Sequence, residues 1–334
     1  MSKGIIVSGM RPTGKLHLGH LYVLENWVRL QKEYDCHYFV ADWHALSTSF
    51  EDNSSMRDNT REMVTDWLAA GMDPEKSVIF VQSDIMEHAE LHLIFSMITP
   101  LSWLERVPTF KDQVQQLKEQ GKDINTYGFL GYPLLQAADI LLYKADAVPV
   151  GEDQLPHLEL CREVARRFNY LYRPVFPEPQ GLVARVPLLP GIDGRKMSKS
   201  YHNDIVIGAE PDVLKERVNA MITDPARIRK TDPGHPEVCI VHEYHNIYAS
   251  DKLAGLEEEC RGGKIGCVAC KKMLAASIEE VMAPVRERRA DILKRPGYID
   301  DILAEGARKA KAKSAETMKE VREVVSGIKN NSHN

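Results

Sequence analysis

The chain has 334 residues, 43% of them hydrophobic and 27% charged, which is enough for one large globular domain or two moderate ones. A net charge of −5 excludes a protein that grips nucleic acid by bulk charge, so any RNA site has to be a local basic face. No apolar run approaches the length that crosses a bilayer, and the chain opens directly in a strand without a leader; the expectation is a cytoplasmic protein.

In chain order, strands are expected at Ile5–Val7, His37–Ala41, Val78–Val81 and Ala147–Val150. Helices are expected at Gly19–Tyr34, Ser54–Ala70, Ala89–Met97, Pro133–Tyr143 and Leu155–Phe168. Strands separated by helices of this length predict βαβ units, hence an α/β, Rossmann-like parallel sheet. Residues 100–131 are polar and read as a helical insertion. In such folds ligands sit at the carboxyl ends of the strands.

The loop after the first strand, SGMRPTGKLHLGH from Ser8 to His20, joins that strand to an amphipathic helix. A Gly/Pro-rich turn entering a helix presents backbone N–H groups to phosphates. Gly9, Gly14 and Gly19 permit close approach of a nucleotide, and His17 and His20 place imidazole donors at the mouth of the helix. By itself HxGH also fits a strand–helix turn carrying two surface histidines. It gains force from a second basic element far downstream, Lys196-Met197-Ser198-Lys199-Ser200.

Three further constellations lie in this half. Asp42-Trp43-His44 follows the second strand and reads either as a turn or as a polar group at the ligand end of the sheet. Tyr132, Gln136 and Asp139 are spaced i, i+4, i+7 on an otherwise apolar helix, which puts three polar groups on one face. Such a stripe is costly unless each group has a partner, and a ligand would supply partners. Val150-Gly151-Glu152-Asp153-Gln154 ends a strand and starts a helix, with Asp153 as candidate N-cap. Two carboxylates beside a phosphate site suit ribose hydroxyls, an ammonium group or Mg²⁺.

Six cysteines in a chain expected to be cytoplasmic argue against a disulfide framework. Cys36 and Cys161 stand in apolar surroundings and read as core fillers. Cys239, Cys260, Cys267 and Cys270 form C-x20-C-x6-C-x2-C, whose single CxxC suits either a structural zinc site or a [4Fe–4S] cluster. Beyond residue 271 the pattern is helical, with Leu274, Ile278, Val281, Val285, Ile299, Ile302 and Leu303 apolar. In residues 281–334 Lys and Arg outnumber Asp and Glu by 12 to 8, which fits an RNA face or a solvated helix pair equally. Asn330–Asn334 reads as a frayed end.

HxGH and KMSKS together resemble the two signatures of class I aminoacyl-tRNA synthetases. SGMRPTG, GYPLLQAADILLYKADAVPVGEDQ and LPGIDGRKMSKS, in this order over nearly the whole chain, resemble the tryptophanyl-tRNA synthetases in particular. The resemblance implies an ATP site at Arg11, Pro12, Thr13, Gly19, His20, Gly151, Glu152, Asp153, Val186, Lys196, Met197, Ser198, Lys199 and Ser200. It implies that Asp139 accepts the indole N–H, that Tyr132 and Gln154 hold the ammonium and carboxylate region, and that Gln136 and His44 line the same pocket. Gln136 stands where many bacterial members carry Met, and Tyr/Gln/Asp at this spacing also resembles tyrosyl-tRNA synthetases. A subset of bacterial tryptophanyl enzymes holds a [4Fe–4S] cluster on a similar cysteine set with a slightly longer first gap.

The function expected from the resemblance is ATP-dependent activation of L-tryptophan and its transfer to tRNA(Trp), with His17, His20, Lys196 and Lys199 meeting charge on the leaving pyrophosphate and Mg²⁺ sharing it. Residues 1–200 would form the catalytic domain and 201–330 a helical, tRNA-binding domain, the whole assembling as a homodimer. The alternatives are a tyrosyl-tRNA synthetase, another HxGH nucleotidylyltransferase, or a catalytically silent RNA-binding relative.

Overall fold

The computed structural model describes residues 2–107, 124–183 and 189–327. Val186, the middle of the polar insertion and Asn330–Asn334 lie outside these residues. Five parallel strands, β1 (Ile5–Met10), β2 (Asp35–Val40), β3 (Ser77–Val81), β4 (Ala147–Val150) and β5 (Gln180–Val183), form one sheet in the order β3-β2-β1-β4-β5. β1 runs in register with β2 from Ile5 opposite Asp35 to Met10 opposite Val40. On its other side Ile6 pairs with Ala147 of β4. Strand order reverses between β1 and β4, so a crevice opens beyond their carboxyl ends, at Arg11 and Gly151.

Both faces of the sheet are covered, as an all-parallel sheet requires. α1 (Leu18–Leu30) buries Leu18, Leu21, Leu24, Trp27 and Leu30, a stripe at three-residue spacing. Trp27 stacks on Tyr38 of β2 at 4.4 Å and meets Trp67 of α3 (Met56–Ala69) edge-on at 5.2 Å. The opposite core gathers Phe39, Phe80, Phe95 and Phe168 between the sheet and the helices α4 (Glu87–Ile98), α6 (Tyr127–Leu141) and α7 (Leu155–Leu171). Cys36 and Cys161 are buried in these two cores, as read from sequence.

Three elements differ from the sequence reading. Asp42-Trp43-His44 is not a loop but the first turn of α2 (Asp42–Ser49). The Asp42 carboxylate accepts the backbone N–H groups of Trp43 and Ser83, at 3.0 and 3.1 Å, tying that helix to the end of β3. The short edge strand β5, QGLV, lacks the apolar run that marks the equally short β4, AVPV. α5 (Leu101–Glu105), helical as expected, falls inside the polar insertion. So does the start of α6, which begins at Tyr127 because the Thr126 hydroxyl accepts the N–H of Phe129 at 3.2 Å and caps it.

The rest of the described chain is helical: α8 (Pro211–Asn219), α9 (Ile240–Tyr248), α10 (Leu253–Arg261), α11 (Cys267–Leu293) and α12 (Tyr298–Val325). None of the described helices is long and apolar enough to cross a membrane. α11 packs on α3 and α8, and its Leu274, Ile278, Met282 and Val285 join the same core as Trp27. α12 crosses β3, burying Ala310, Met318 and Val321 in the aromatic core on the other face.

The basic side chains of these last two helices are largely engaged within the chain. Arg289 reaches Asp66 and Glu62, Arg288 donates to the Ala69 carbonyl, and Arg322 pairs with Glu90. Asp66 is 1% exposed; burial raises its carboxyl to about 6 against the pull of Arg289. Its other oxygen accepts the N–H of Leu16 at 3.2 Å, so α11 is tied to the loop that carries His17 and His20.

Gly306 is where α12 touches the sheet: a Cβ there would fall 1.7 Å from the Ile79 carbonyl oxygen. Backbone cannot yield as a flexible side chain does, so Gly306→Ala is expected to cost about 1–3 kcal/mol by overpacking. Urea unfolding checks it; an unchanged midpoint would mean that the helix does not bear on β3.

Candidate active site

Two cavities open side by side at the strand-order reversal. The first, about 370 Å³, lies between the ends of β1 and β4 and the polar face of α6. Tyr132, Gln136 and Asp139 all line it, as the i, i+4, i+7 spacing predicts, together with His44, Gly151 and Gln154. Val7, Val23, Trp27, Phe39, Phe129 and Val148 supply apolar wall.

Asp139 is 1% exposed and fully partnered. His44 Nε2 lies 2.7 Å from Oδ2; Gln82 Nε2 and His88 Nδ1 each lie 2.7 Å from Oδ1. Burial pushes this carboxyl up, but the hydrogen bonds and charge of His44 and then His88 outweigh it and hold the group well below the usual carboxylate range. The cavity therefore ends in a fixed anion facing an apolar chamber, a combination that selects a flat apolar group bearing a single N–H or O–H donor.

The second cavity, about 520 Å³, is lined by Arg11, Pro12, Thr13, His17, His20 and the loop Met197–Lys199. Arg11 lines both cavities and donates from its guanidinium to Thr48 Oγ1. His20 Nδ1 accepts the backbone N–H of His17 at 3.2 Å, which leaves its Nε2 as the donor. Burial lowers His17 to about 4 and His20 to about 3, so both are neutral at physiological pH. As neutral rings each offers one N–H donor to this cavity. Gly19 stands between them, with the His17 ring against the place its Cβ would take.

Of the two lysines only Lys199 reaches this cavity. Its Nζ donates to the Thr13 carbonyl at 3.1 Å, and burial lowers its ammonium, which Asp204 and Asp66 partly offset. Lys196 is exposed and lines neither cavity. Met197 is 5% exposed and packs in the main core, so the loop is anchored at its centre. Ser198 lines the cavity, and Ser200 lies in the 3-10 turn Lys199–Tyr201. Buried Asn203 holds both limbs of the loop: it accepts from Ser198 N at 2.7 Å and donates to Asp193 at 2.7 Å and to the Lys196 carbonyl at 3.1 Å.

Gly151 lines the first cavity, and the exposed Asp153 carboxylate lies 2.6 Å from the place its Cβ would take. Asp153 is not an N-cap: residues Glu152–Gln154 form a 3-10 turn ahead of α7, and its carboxylate accepts from Gln154 Nε2 at 2.9 Å. Glu152 and Asp153 are both exposed.

Sequence reasoning missed Gln82, His88 and His157. His157, 2% exposed, lines the first cavity and sits 3.3 Å from the Tyr132 hydroxyl; its signal was the three-residue spacing from Gln154, which stands just before α7. His88 is fully buried, bridging Asp139 and the Tyr143 hydroxyl at 2.8 Å. Neither His88 nor Gln82 carries a local signal, because their partner is more than fifty residues away along the chain.

The four cysteines lie around the junction of α9, α10 and α11, Cys239 at the start of α9, Cys260 near the end of α10, and Cys267 and Cys270 at the start of α11. Arg227 Nη1 lies 3.7 Å from Cys260 Sγ and 3.8 Å from Cys267 Sγ, while Cys270 Sγ lies 3.3 Å from His245 Nε2. Cys239 stands at the start of α9 and, like the other three, is a half-buried free thiol. Among the described residues no three His, Cys, Asp or Glu side chains stand close enough together to hold a single metal ion.

A Rossmann-type sheet with a phosphate cavity and an adjoining apolar, anion-terminated cavity defines an enzyme that activates a small acid with a nucleotide. Residues 2–283 match the family described as tRNA synthetases class I (W and Y). The tryptophan--tRNA ligase of Thermotoga maritima is 55% identical over 321 residues, covering 95% of this chain and 97% of that protein. That of Aquifex aeolicus is 45% identical, covering 96% and 99%. The structure of tryptophanyl-tRNA synthetase from Campylobacter jejuni, complexed with ADP and tryptophan, is 32% identical, with a TM-score of 0.85 and coverage of 96% and 99%. This chain belongs to the class I tRNA synthetase family.

Proposed function

We propose that this chain activates L-tryptophan with ATP and transfers it to tRNA(Trp), releasing pyrophosphate and AMP. The observation that carries the reading is the pair of abutting cavities joined at Arg11: one ends in Asp139, the other holds Lys199 and the two neutral histidines. ATP enters as its Mg²⁺ complex. The tryptophan carboxylate attacks the α-phosphorus, the bond to the bridging oxygen breaks in line, and pyrophosphate leaves. A hydroxyl of the tRNA terminal ribose then attacks the activated carbonyl and AMP leaves.

No covalent enzyme intermediate is needed, since orientation and charge stabilisation supply the rate. Arg11, Pro12, Thr13, Gly19, Met197, Ser198 and Ser200 frame the nucleotide, with Gly151, Glu152 and Asp153 at the ribose and Val186 completing the set. Lys199, His17 and His20 meet charge on the leaving pyrophosphate, with Lys196 on the same loop but outside the cavity. Asp139 accepts the indole N–H, with Tyr132, Gln154, Gln136 and His44 around the amino acid. The named relatives favour tryptophan over tyrosine as substrate, and the intact phosphate site speaks against a silent binding protein. Pyrophosphate exchange with each of the twenty amino acids tests this: exchange that depends on tryptophan is expected, and exchange led by tyrosine would overturn it.

The helical region from residue 201 is assigned to tRNA binding, although its core is continuous with that of the catalytic sheet. Leu93, Met97 and Leu101, 56%, 74% and 62% exposed on α4 and α5, support a homodimer through that apolar face. Cys239, Cys260, Cys267 and Cys270 are assigned to a [4Fe–4S] cluster, with structural zinc as the second reading. The reading rests on the donor set alone, four free thiols at neighbouring helix ends; as placed, no three of these side chains stand close enough to share one metal ion. The group would tie α9, α10 and α11 together. Cys267→Ser is expected to lose the iron of anaerobically purified protein while still forming tryptophanyl-adenylate, and to charge tRNA less well. Loss of adenylation in a folded variant would instead place the metal in catalysis.

A further inference from the structure

The three donors on Asp139 do not stand on the same side of it. His44, 2.7 Å from Oδ2, lines the first cavity; Gln82 and His88, each 2.7 Å from Oδ1, do not. Gln82 follows β3 in the 3-10 turn Gln82–Asp84, His88 lies in the first turn of α4, and both are fully buried. A carboxylate has about four acceptor sites, two on each oxygen. Gln82 and His88 fill those of Oδ1, and His44 fills one on Oδ2. The site that remains is on the oxygen that shares the chamber with His44.

Both rear donors are themselves held. The His88 ring packs among Phe39, Phe80 and Tyr143, with ring centroids 6.0, 6.2 and 5.5 Å away. Its Nε2 lies 2.8 Å from the Tyr143 hydroxyl. Burial keeps that hydroxyl protonated, so it donates to Nε2, and Nδ1 carries the proton that goes to Asp139. The Gln82 side-chain oxygen is buried with no partner; facing it to a carboxylate would set acceptor against acceptor, so the amide turns its N–H to Oδ1. Without such backing a carboxylate turns easily, because the terminal torsion of Asp is broad and two-fold. Once turned it meets a substrate donor at a poor angle, and hydrogen bonds weaken steeply with misalignment.

We infer that His88 and Gln82 are positioning residues for substrate selection: they fill both acceptor sites of Asp139 Oδ1 from behind the chamber, fix the carboxylate plane, and leave Oδ2 to receive the N–H of the substrate ring. The inference rests on the proposed reading of Asp139 as the acceptor of the indole N–H. It is tested with the full-length enzyme on tryptophan and on benzothienylalanine, in which sulfur replaces the indole N–H and the shape is kept. The ratio of kcat/KM for the two in pyrophosphate exchange is measured for wild type, Asp139→Ala, His88→Leu, His88→Asn and Gln82→Met. This ratio does not depend on the fraction of folded enzyme.

Wild type is expected to favour tryptophan, and Asp139→Ala to lose that preference. His88→Leu and Gln82→Met should each lower the ratio roughly tenfold, the worth of one hydrogen bond to a charged group. His88→Asn should keep it, because its side-chain amide stands where Nδ1 stood. A packing role predicts the reverse order for His88, since Leu suits apolar surroundings and Asn does not; it also lowers kcat/KM for both amino acids together. A wild-type ratio in both His88→Leu and Gln82→Met, with the preference lost in Asp139→Ala, overturns the positioning role and leaves the reading of Asp139 standing. Should His88→Leu fail to fold, the nearly isosteric Gln82→Met decides, and an unchanged ratio there overturns the inference. Equal use of the two amino acids by wild type, or a preference that survives Asp139→Ala, overturns the reading of Asp139 itself.

Discussion

Lys199→Ala is expected to slow tryptophanyl-adenylate formation by roughly 10²–10³, the loss typical of removing one donor aimed at developing oxyanion charge. The lysine stands in the phosphate cavity, hydrogen-bonded to the Thr13 carbonyl, and does not line the cavity that ends at Asp139. Tryptophan affinity should therefore change little. Rapid-quench measurement of adenylate formation, beside fluorescence titration of tryptophan, separates the two quantities. An equal loss in affinity with unchanged turnover would remove Lys199 from the chemistry. Lys196→Ala should do less, because Lys196 is exposed and lies outside both cavities in this arrangement of the loop.

Asp139→Ala should lose roughly 2–4 kcal/mol of the preference for tryptophan over phenylalanine, as at other sites built around a substrate donor. Phenylalanine has no N–H to offer, so in wild type it shuts a desolvated carboxylate away from water without a new bond. The structure adds a second consequence: His44, Gln82 and His88 all lose their shared acceptor, so stability should fall as well. The ratio of kcat/KM for the two amino acids is independent of the fraction of folded enzyme, so it isolates selectivity from that loss. Wild-type discrimination in the variant would show that the indole is read elsewhere.

Much of this architecture was legible because its signals are local. The alternation of short apolar runs with amphipathic stretches predicted β1 to β4, α1, α3, α4 and α7 to within a few residues. A helical period alone put Tyr132, Gln136 and Asp139 on one face, and they line one cavity. Elements without an apolar run escaped: β5 is Gln-Gly-Leu-Val, and α2 opens with an Asp whose carboxylate accepts from Ser83, far along the chain.

By itself the sequence determined the parallel sheet, the phosphate loop, the polar stripe and the cysteine set, because each depends on neighbours within a turn or two of chain. Only the tertiary structure decided which groups act on one another. It brought Gln82 and His88 to Asp139, and it turned Lys199 inward while leaving Lys196 outside. It also spent Arg289 of α11 on Glu62 and Asp66, and Arg322 of α12 on Glu90. The physical reason is the same in each case: a buried charge takes the partner that packing brings within reach, and packing joins residues whose separation along the chain carries no period.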